Sequence, residues 1–418
     1  MTGGDTKRDV KTADDVQPWN PLTRVAFRFC FLYFGLFCLW FAQITFAFTG
    51  LVAPMLPQRA VLWQMVVLEP VARWVGRQVF GADVSLHLDS GSGDQAVIWV
   101  MAFCGLVVAV AGTVVWSVLD RRRTEYRRLH AWFLTFLRIC VGGQMMFYGM
   151  AKVIPSQMPA PSLTSLLQPF GEFSPMAVLW LQVGSSYPYE ILLGAVELLA
   201  GILLFIPRTA TLGALVGLVS MVQVFVLNLT FDVPVKILSS HLLLMTLVLL
   251  APQARRLANV LVLERPADPV VTPRLFESAR PNRIAAAVQV ALGVWVLAGC
   301  VTIGVNGWFE FGGGRPKPEL YGIWQVTDSA GGPAWRRVVV EEPDVLTYQS
   351  VSGELETVDL TTEPGSTFTF HRTAPDRLEL TGRWDSGSFT MTLERVDLSE
   401  FPLLGRGFNW VQEYPYFG

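Results

Sequence analysis

Seven runs of roughly twenty residues, almost free of Asp, Glu, Lys and Arg, dominate the first 305 positions of this 418-residue chain, and a run of that length crosses a ~30 Å hydrocarbon core as one helix. They fall at approximately 25–48, 96–118, 131–153, 189–206, 210–230, 236–252 and 284–304. Lipid offers the backbone no hydrogen-bond partners, so each run must satisfy its own amides by coiling. Only 16% of the residues are charged and 52% are hydrophobic, against roughly a quarter charged in a soluble domain. The expected fold class is a mainly α polytopic membrane protein of about seven transmembrane helices, with the lipid bilayer as its first partner.

Short cytoplasmic loops carry the excess of Lys and Arg. Arg121-Arg122-Arg123 with Arg127-Arg128, and then Arg255, Arg256, Arg265, Arg274, Arg280 and Arg283, mark two loops as cytoplasmic, whereas no Lys or Arg occurs from Val153 to Pro207. The N-terminus is therefore expected inside and the C-terminus outside, in a bacterial cytoplasmic (inner) membrane. The first run is too long, and lacks the small-residue site, for a cleaved signal; it is read as a retained span. The expected domains are a cytoplasmic tail (1–24), two spans with an outer loop (25–129), a four-helix unit (130–255), a cytoplasmic linker (256–283), a last span (284–304) and an outer β-rich domain (320–418).

From about Leu320 the pattern changes to β-branched and polar residues in alternation, broken by turn dipeptides. Strands are expected at 321–327, 335–341, 345–350, 355–361, 366–371 and 377–395, the last a hairpin turning at Asp385-Ser386-Gly387. Neighbouring strands of this kind make a small all-β meander, an up-and-down barrel or a lipocalin-like curled sheet. Tyr321-Gly322-Ile323-Trp324 looks like the Gly-x-Trp opening of lipocalin-type barrels, with Arg383 as the arginine to stack on the Trp.

Ionisable residues inside spans are costly and face the protein interior or a pathway. Arg138, Gln144, Tyr148 and Lys152 lie in the third run, Glu190 and Glu197 in the fourth, and Asn228, Asp232, Lys236 and His241 around the fifth and sixth. Helical geometry puts Arg138, Tyr148 and Lys152 on one side of their helix. The most economical pairing joins Glu197 to Arg138 or Lys152, and Asp232 to Lys236; Glu190 and Lys152, near span ends, are expected to reach the interface. Two readings stay open: pairs that fix helix register, or a cavity lined by Tyr148, Lys152, Glu197 and His241 for a small anionic or quinone-like molecule.

Several classes are excluded. The net charge of −2 offers no basic surface for nucleic acid. The five cysteines sit in apolar runs without a C-x-x-C pair, and the four histidines have no second ligand at metal-site spacing. Neither a phosphate-cradling glycine loop nor a nucleophile elbow occurs.

Tyr148-Gly149-x-x-Lys152, Gly194-x-x-Glu197-x-x-x-Gly201, Pro207-Arg208-Thr209 and Arg138 together make residues 130–255 resemble the DoxX family of bacterial membrane proteins. Gly93-Asp94, Asp232-Val-Pro-Val-Lys236, Ser239-Ser240-His241-Leu-Leu-Leu-Met245 and the tail from Arg406 to Tyr416 look like a longer subgroup of that family. The resemblance implies a four-helix membrane unit whose relatives include a subunit of a thiosulfate:quinone oxidoreductase and membrane partners of redox-stress assemblies. It carries no catalytic mechanism over, since the chain has no haem ligand pair, flavin motif or cysteine pair, and a redox role would need a partner enzyme or a bound quinone. The functional expectation is a non-catalytic membrane subunit of a quinone-linked or redox-stress complex. The alternatives are a scaffold whose outer domain docks an envelope protein, and a small-molecule binding or transport protein.

Overall fold

The computed structural model describes residues 18–267, 274–360, 367–384 and 387–416. Among them, seven helices are long and apolar enough to cross a membrane: Pro21–Trp40, Ala96–Leu119, Arg127–Val153, Tyr187–Phe205, Ala210–Thr230, Lys236–Leu261 and Ala279–Glu310, numbered here spans 1 to 7. With a C-terminal antiparallel sheet, they make the chain an integral membrane protein of mainly α class. It divides into two compact units, one holding the residues up to Met150 with Gly194–Ile303, the other Ala151–Leu193 with the chain from Gly304 onward.

Span 1 starts where its local chemistry dictates. Asn20 accepts the Thr23 amide at 2.7 Å and Pro21 takes the first helical position, whose amide would be orphaned anyway. The helix stops at Trp40, well short of the expected 48, because Phe41 is extended and the chain then runs through a short helix, Ala42–Phe46, into the 3-10 segment Ala47–Met55. Gly50 kinks that 3-10 segment: its φ is +57°, and a side chain there would overlap the Trp295 indole of span 7. Trp295 fixes the approach by donating Nε1 to Phe48 O at 3.0 Å.

The stretch read as an outer loop contains another helix, Trp63–Phe80, closed by Gly81 in the left-handed region. Glu69, Arg73 and Arg77 interrupt its apolar run but recur every fourth residue, so they occupy a single face. Phe80 packs edge-on against Phe103 of span 2, ring centres 5.1 Å apart.

Hydrogen bonds join the loops in three pairs. Trp19 N donates to Thr124 O and the Arg24 guanidinium to Arg123 O, joining the N-terminal segment to the loop between spans 2 and 3. Gly93 N donates to Pro234 O, joining loop 1–2 to loop 5–6. Leu163 N donates to Glu341 at 3.2 Å, joining loop 3–4 to the C-terminal sheet. Seven crossings put the members of each joined pair on the same side, so every one of these contacts obeys the alternation.

In the second unit the sheet has seven strands, β1 Gly322–Ala330, β2 Trp335–Glu342, β3 Val345–Ser350, β4 Leu355–Asp359, β5 Thr367–Ala374, β6 Arg377–Trp384 and β7 Gly387–Arg395, in the order β4-β3-β2-β1-β7-β6-β5. All neighbours are antiparallel, and the sheet curls with the first and last strands paired at its middle. The expected run 377–395 is β6 and β7; its turn residues Asp385 and Ser386, like residue 366 of the fifth expected strand and residue 361 of the fourth, lie outside the described residues. Alternation along β1 and β2 sends Trp324 and Val338 to an inner core with Leu346, Leu378, Met391 and Leu393, and Ile323 and Val339 to the opposite face against Leu163 and Leu167 of loop 3–4.

The Gly-x-Trp segment keeps its expected place with a different arginine. Trp324 is fully buried, donates Nε1 to Leu320 O at 2.9 Å and carries the Arg395 guanidinium 5.9 Å from its ring centre. Arg383, the arginine expected from sequence, is exposed on β6 opposite Ser388, whereas Arg395 is the registered partner of Trp324 on β7. Register across the closing strand pair decides which arginine reaches the ring, and spacing alone does not reveal it.

Candidate functional site

Spans 3 and 4 touch backbone to backbone along their glycines. A Cβ placed on Gly149 would meet Leu198 N at 2.5 Å and Gly194 O at 2.9 Å; one on Gly201 would meet Met146 N at 2.8 Å and Gly142 O at 2.9 Å. Small residues permit such contact in lipid, where association rests on close packing. Tyr148 and Glu197 flank these glycines in sequence. Tyr148, Lys152 and Glu197 each have a polar or electrostatic partner, and Lys152 and Glu197 are buried.

In the second unit, Lys152 and Glu190 are buried, contrary to the expectation that they reach the interface. The loop that follows span 3 folds over them: Met158 N donates to Glu190 Oε1 at 3.1 Å, and Trp180 Nε1 donates to Gln157 O at 3.1 Å. Gly184 lets the helix Pro175–Gly184 press onto the carbonyls of Met158 and Pro159. Glu190 is within Coulombic reach of Lys152. A loop covers these span ends where water was expected.

Arg138 does not pair with Glu197. Among the described residues it has no ion-pair partner: one terminal nitrogen donates to Gln289 Oε1 of span 7, and the other, Nη1, is buried without a hydrogen bond. Gln289 Nε2 in turn donates to Ala285 O at 2.9 Å, which turns its carbonyl oxygen toward the guanidinium. Gln144, on the same helix, is fully buried and donates to Gln43 O at 2.7 Å.

Asp232 and Lys236 do pair, Nζ to Oδ1 at 2.8 Å, with Lys236 also 3.8 Å from Asp94 Oδ2. Asp94 has a second task. Its two carboxylate oxygens accept the Lys236 and Ile237 amides at 2.7 and 2.9 Å, capping span 6 from another loop, while Gly93 leaves room for the Pro234 carbonyl. Val235, at the position where a cap residue would stand, has no side-chain acceptor. Two sequence strings far apart in the chain are thus halves of one helix cap.

His241 stands in a cluster of its own and does not join Tyr148, Lys152 and Glu197. Its ring stacks on Phe37 with centres 3.8 Å apart, Nδ1 lies 2.6 Å from Ile237 O and Nε2 2.8 Å from the Tyr33 hydroxyl. The carbonyl accepts only, so in the neutral imidazole Nδ1 carries the hydrogen and Nε2 accepts from Tyr33.

The sequence reading missed Arg28, a cation four residues into an apolar run. It is buried and donates to the Tyr126 hydroxyl at 2.6 Å, to Ser117 Oγ and to Asp120 O, while Tyr126 donates to Asp120 Oδ2 at 2.8 Å. The clue was Arg28 itself, followed by nothing but apolar and aromatic residues through Trp40 except Gly35.

Among the described residues, Arg138 with Gln289, the Asp94 cap and the His241 stack are separate local arrangements. Such groups can hold a charged or hydrogen-bonding ligand and keep helices in register. No family model matches the chain, and no solved structure does. A relative in Bacillus subtilis (strain 168), described as uncharacterized protein YwoB, is 32% identical over 148 residues, covering 33% of this chain and 86% of that protein. With identity and coverage at that level, the chain belongs to the family of YwoB.

Proposed function

We propose that this chain is a non-catalytic membrane subunit of the DoxX type, part of a quinone-linked or redox-stress complex in a bacterial cytoplasmic membrane. The carrying observation is the span 3/span 4 seam. The glycines of Tyr148-Gly149-x-x-Lys152 and Gly194-x-x-Glu197-x-x-x-Gly201, the strings on which the resemblance rests, are the positions where the two helices meet without side chains between them. Around that seam Tyr148 offers a hydroxyl that can donate to a quinone carbonyl, and Glu197 a carboxylate that can accept from a quinol hydroxyl. The Arg-rich loops 2–3 and 6–7 support an inside N-terminus, which puts loop 3–4 and the β-domain outside.

The test is mass spectrometry of everything that accompanies the protein from its native membrane into lipid discs. A stoichiometric quinone, or a redox enzyme, is the expected result, lost in the Glu197→Gln variant for the quinone. Recovery of the intact protein with neither overturns the reading.

A second reading, an envelope scaffold, has its own observation. Phe408, Trp410 and Tyr414 of the C-terminal tail are 78%, 91% and 83% exposed, and aromatic residues with arginine are the usual anchors of protein interfaces. Crosslinking from the neighbouring exposed position 411 in cells distinguishes it: an envelope protein captured there, absent with Trp410→Ser, supports docking, and solvent-only labelling removes it.

A further inference from the structure

Inside the first unit, a cavity of about 960 Å³ opens among the loop-side ends of spans 3, 5, 6 and 7. Among the described residues its lining includes four arginines, Arg138, Arg208, Arg274 and Arg283, against one carboxylate, Glu277. Arg208, Arg274 and Arg283 are exposed at the rim, and Arg138 lies deep, with 8% of its surface accessible. Leu134, Leu204 and Leu249 supply apolar wall between them.

Positive loops at one membrane face are ordinary, and rim arginines alone would mean no more than that. Arg138 is different. It lies within a span, where a charge is kept only with a partner. Among the described residues its one hydrogen bond goes to a neutral amide, and Nη1 is buried with no acceptor. A guanidinium presents a planar fork that matches phosphate oxygens in pairs, and a half-satisfied fork in the wall of a cavity has capacity for an anion once a small side-chain movement uncovers Nη1. The charge excess at the rim favours the same sign of ligand, and the leucine wall suits acyl carbons beneath an anionic head.

We infer that this cavity binds a phosphate group, with Arg138 as the deep contact and Arg208, Arg274 and Arg283 as the rim. The phosphate comes either from an anionic glycerophospholipid entering between the spans or from a free phosphate ester of the aqueous side. This site is separate from the span 3/span 4 seam, and its existence does not depend on the redox reading.

The experiment uses the full chain purified in a non-ionic detergent and native mass spectrometry with added cardiolipin, phosphatidylcholine or inorganic phosphate. Cardiolipin retained in preference to phosphatidylcholine is expected, with Arg138→Gln weakening it roughly tenfold or more, the weight of a charge-assisted hydrogen bond. If Arg138→Gln fails to fold, the double variant Arg208→Gln with Arg283→Gln, both at exposed positions, carries the test and is expected to weaken retention several-fold. Displacement of cardiolipin by millimolar inorganic phosphate assigns the site to a free phosphate ester; retention in its presence assigns it to lipid. Equal retention of cardiolipin and phosphatidylcholine with no binding of inorganic phosphate, or cardiolipin retention unchanged in every folded variant, overturns the inference.

Discussion

Replacing Gly149 with Ala tests the seam on which the fold of the polar membrane region depends. The added Cβ would lie 2.5 Å from Leu198 N and 2.9 Å from Gly194 O, both backbone atoms, where few real Cβ contacts are closer than 3.4 Å. Neither helix can yield by rotating a side chain, so spans 3 and 4 must separate by roughly 0.5–0.9 Å, an overpacking that costs about 1–3 kcal/mol. Alanine is also the better helix former by about 1 kcal/mol, which would mask part of that cost. Gly35→Ala is the control, because Gly35 has nothing within 4 Å and receives only the propensity gain. The quantity to measure is therefore the difference between the two variants. Unfolding in mixed micelles of rising denaturing detergent, followed by tryptophan fluorescence, should place Gly149→Ala below Gly35→Ala by about 1–3 kcal/mol. Gly217→Ala, whose Cβ would make only an ordinary 3.8 Å contact with Ala200, should behave like Gly35→Ala. Coincident curves for all three variants would refute the backbone-to-backbone seam.

Asp94→Ala removes the borrowed cap of span 6 and leaves the Lys236 and Ile237 amides without acceptors; a loss of about 0.5–2 kcal/mol is expected in the same unfolding assay, and no loss would show that the cap is idle. Burial holds the Glu341 carboxyl above its usual range, more than the Leu163 amide and Arg315 lower it. A carboxyl that binds its proton more tightly when folded stabilises below its unfolded pKa, and that contribution is lost as pH rises through the folded pKa. The second unit should therefore gain thermal stability as pH falls from 7 toward 4.5, and Glu341→Gln should flatten that slope; an equal slope in both proteins would contradict the assignment. A cysteine at exposed Ser352 should react with an impermeant thiol reagent in intact spheroplasts, and labelling only after lysis would invert the proposed orientation.

How much could be read from the sequence differs by element. Spans 2 to 7 begin and end near their apolar runs because lipid solvation acts on each segment independently. Span 1 ends early at the extended Phe41, inside a stretch that no proline, glycine or charge interrupts. The helix Trp63–Phe80 was hidden by Glu69, Arg73 and Arg77, whose four-residue spacing was the overlooked signal. At the polar residues, the Asp232–Lys236 pair was legible because its members sit four residues apart across one short turn. Arg138 with Gln289, Asp94 with span 6, and His241 with Tyr33 were not, since each joins residues more than a hundred positions apart.

The sequence by itself determined that this chain lives in a membrane, that a curled antiparallel sheet follows its last span, and which side chains are too polar to lie idle in lipid. Those are consequences of composition and of the 3.6- and 2-residue periods, which each segment expresses alone. Only the tertiary structure decided which arginine covers Trp324, that Lys152 and Glu190 are roofed by a loop, and that Arg138 keeps a buried nitrogen without a partner. Pairing depends on strand register, helix rotation and the path of loops, and these are fixed when segments pack against one another.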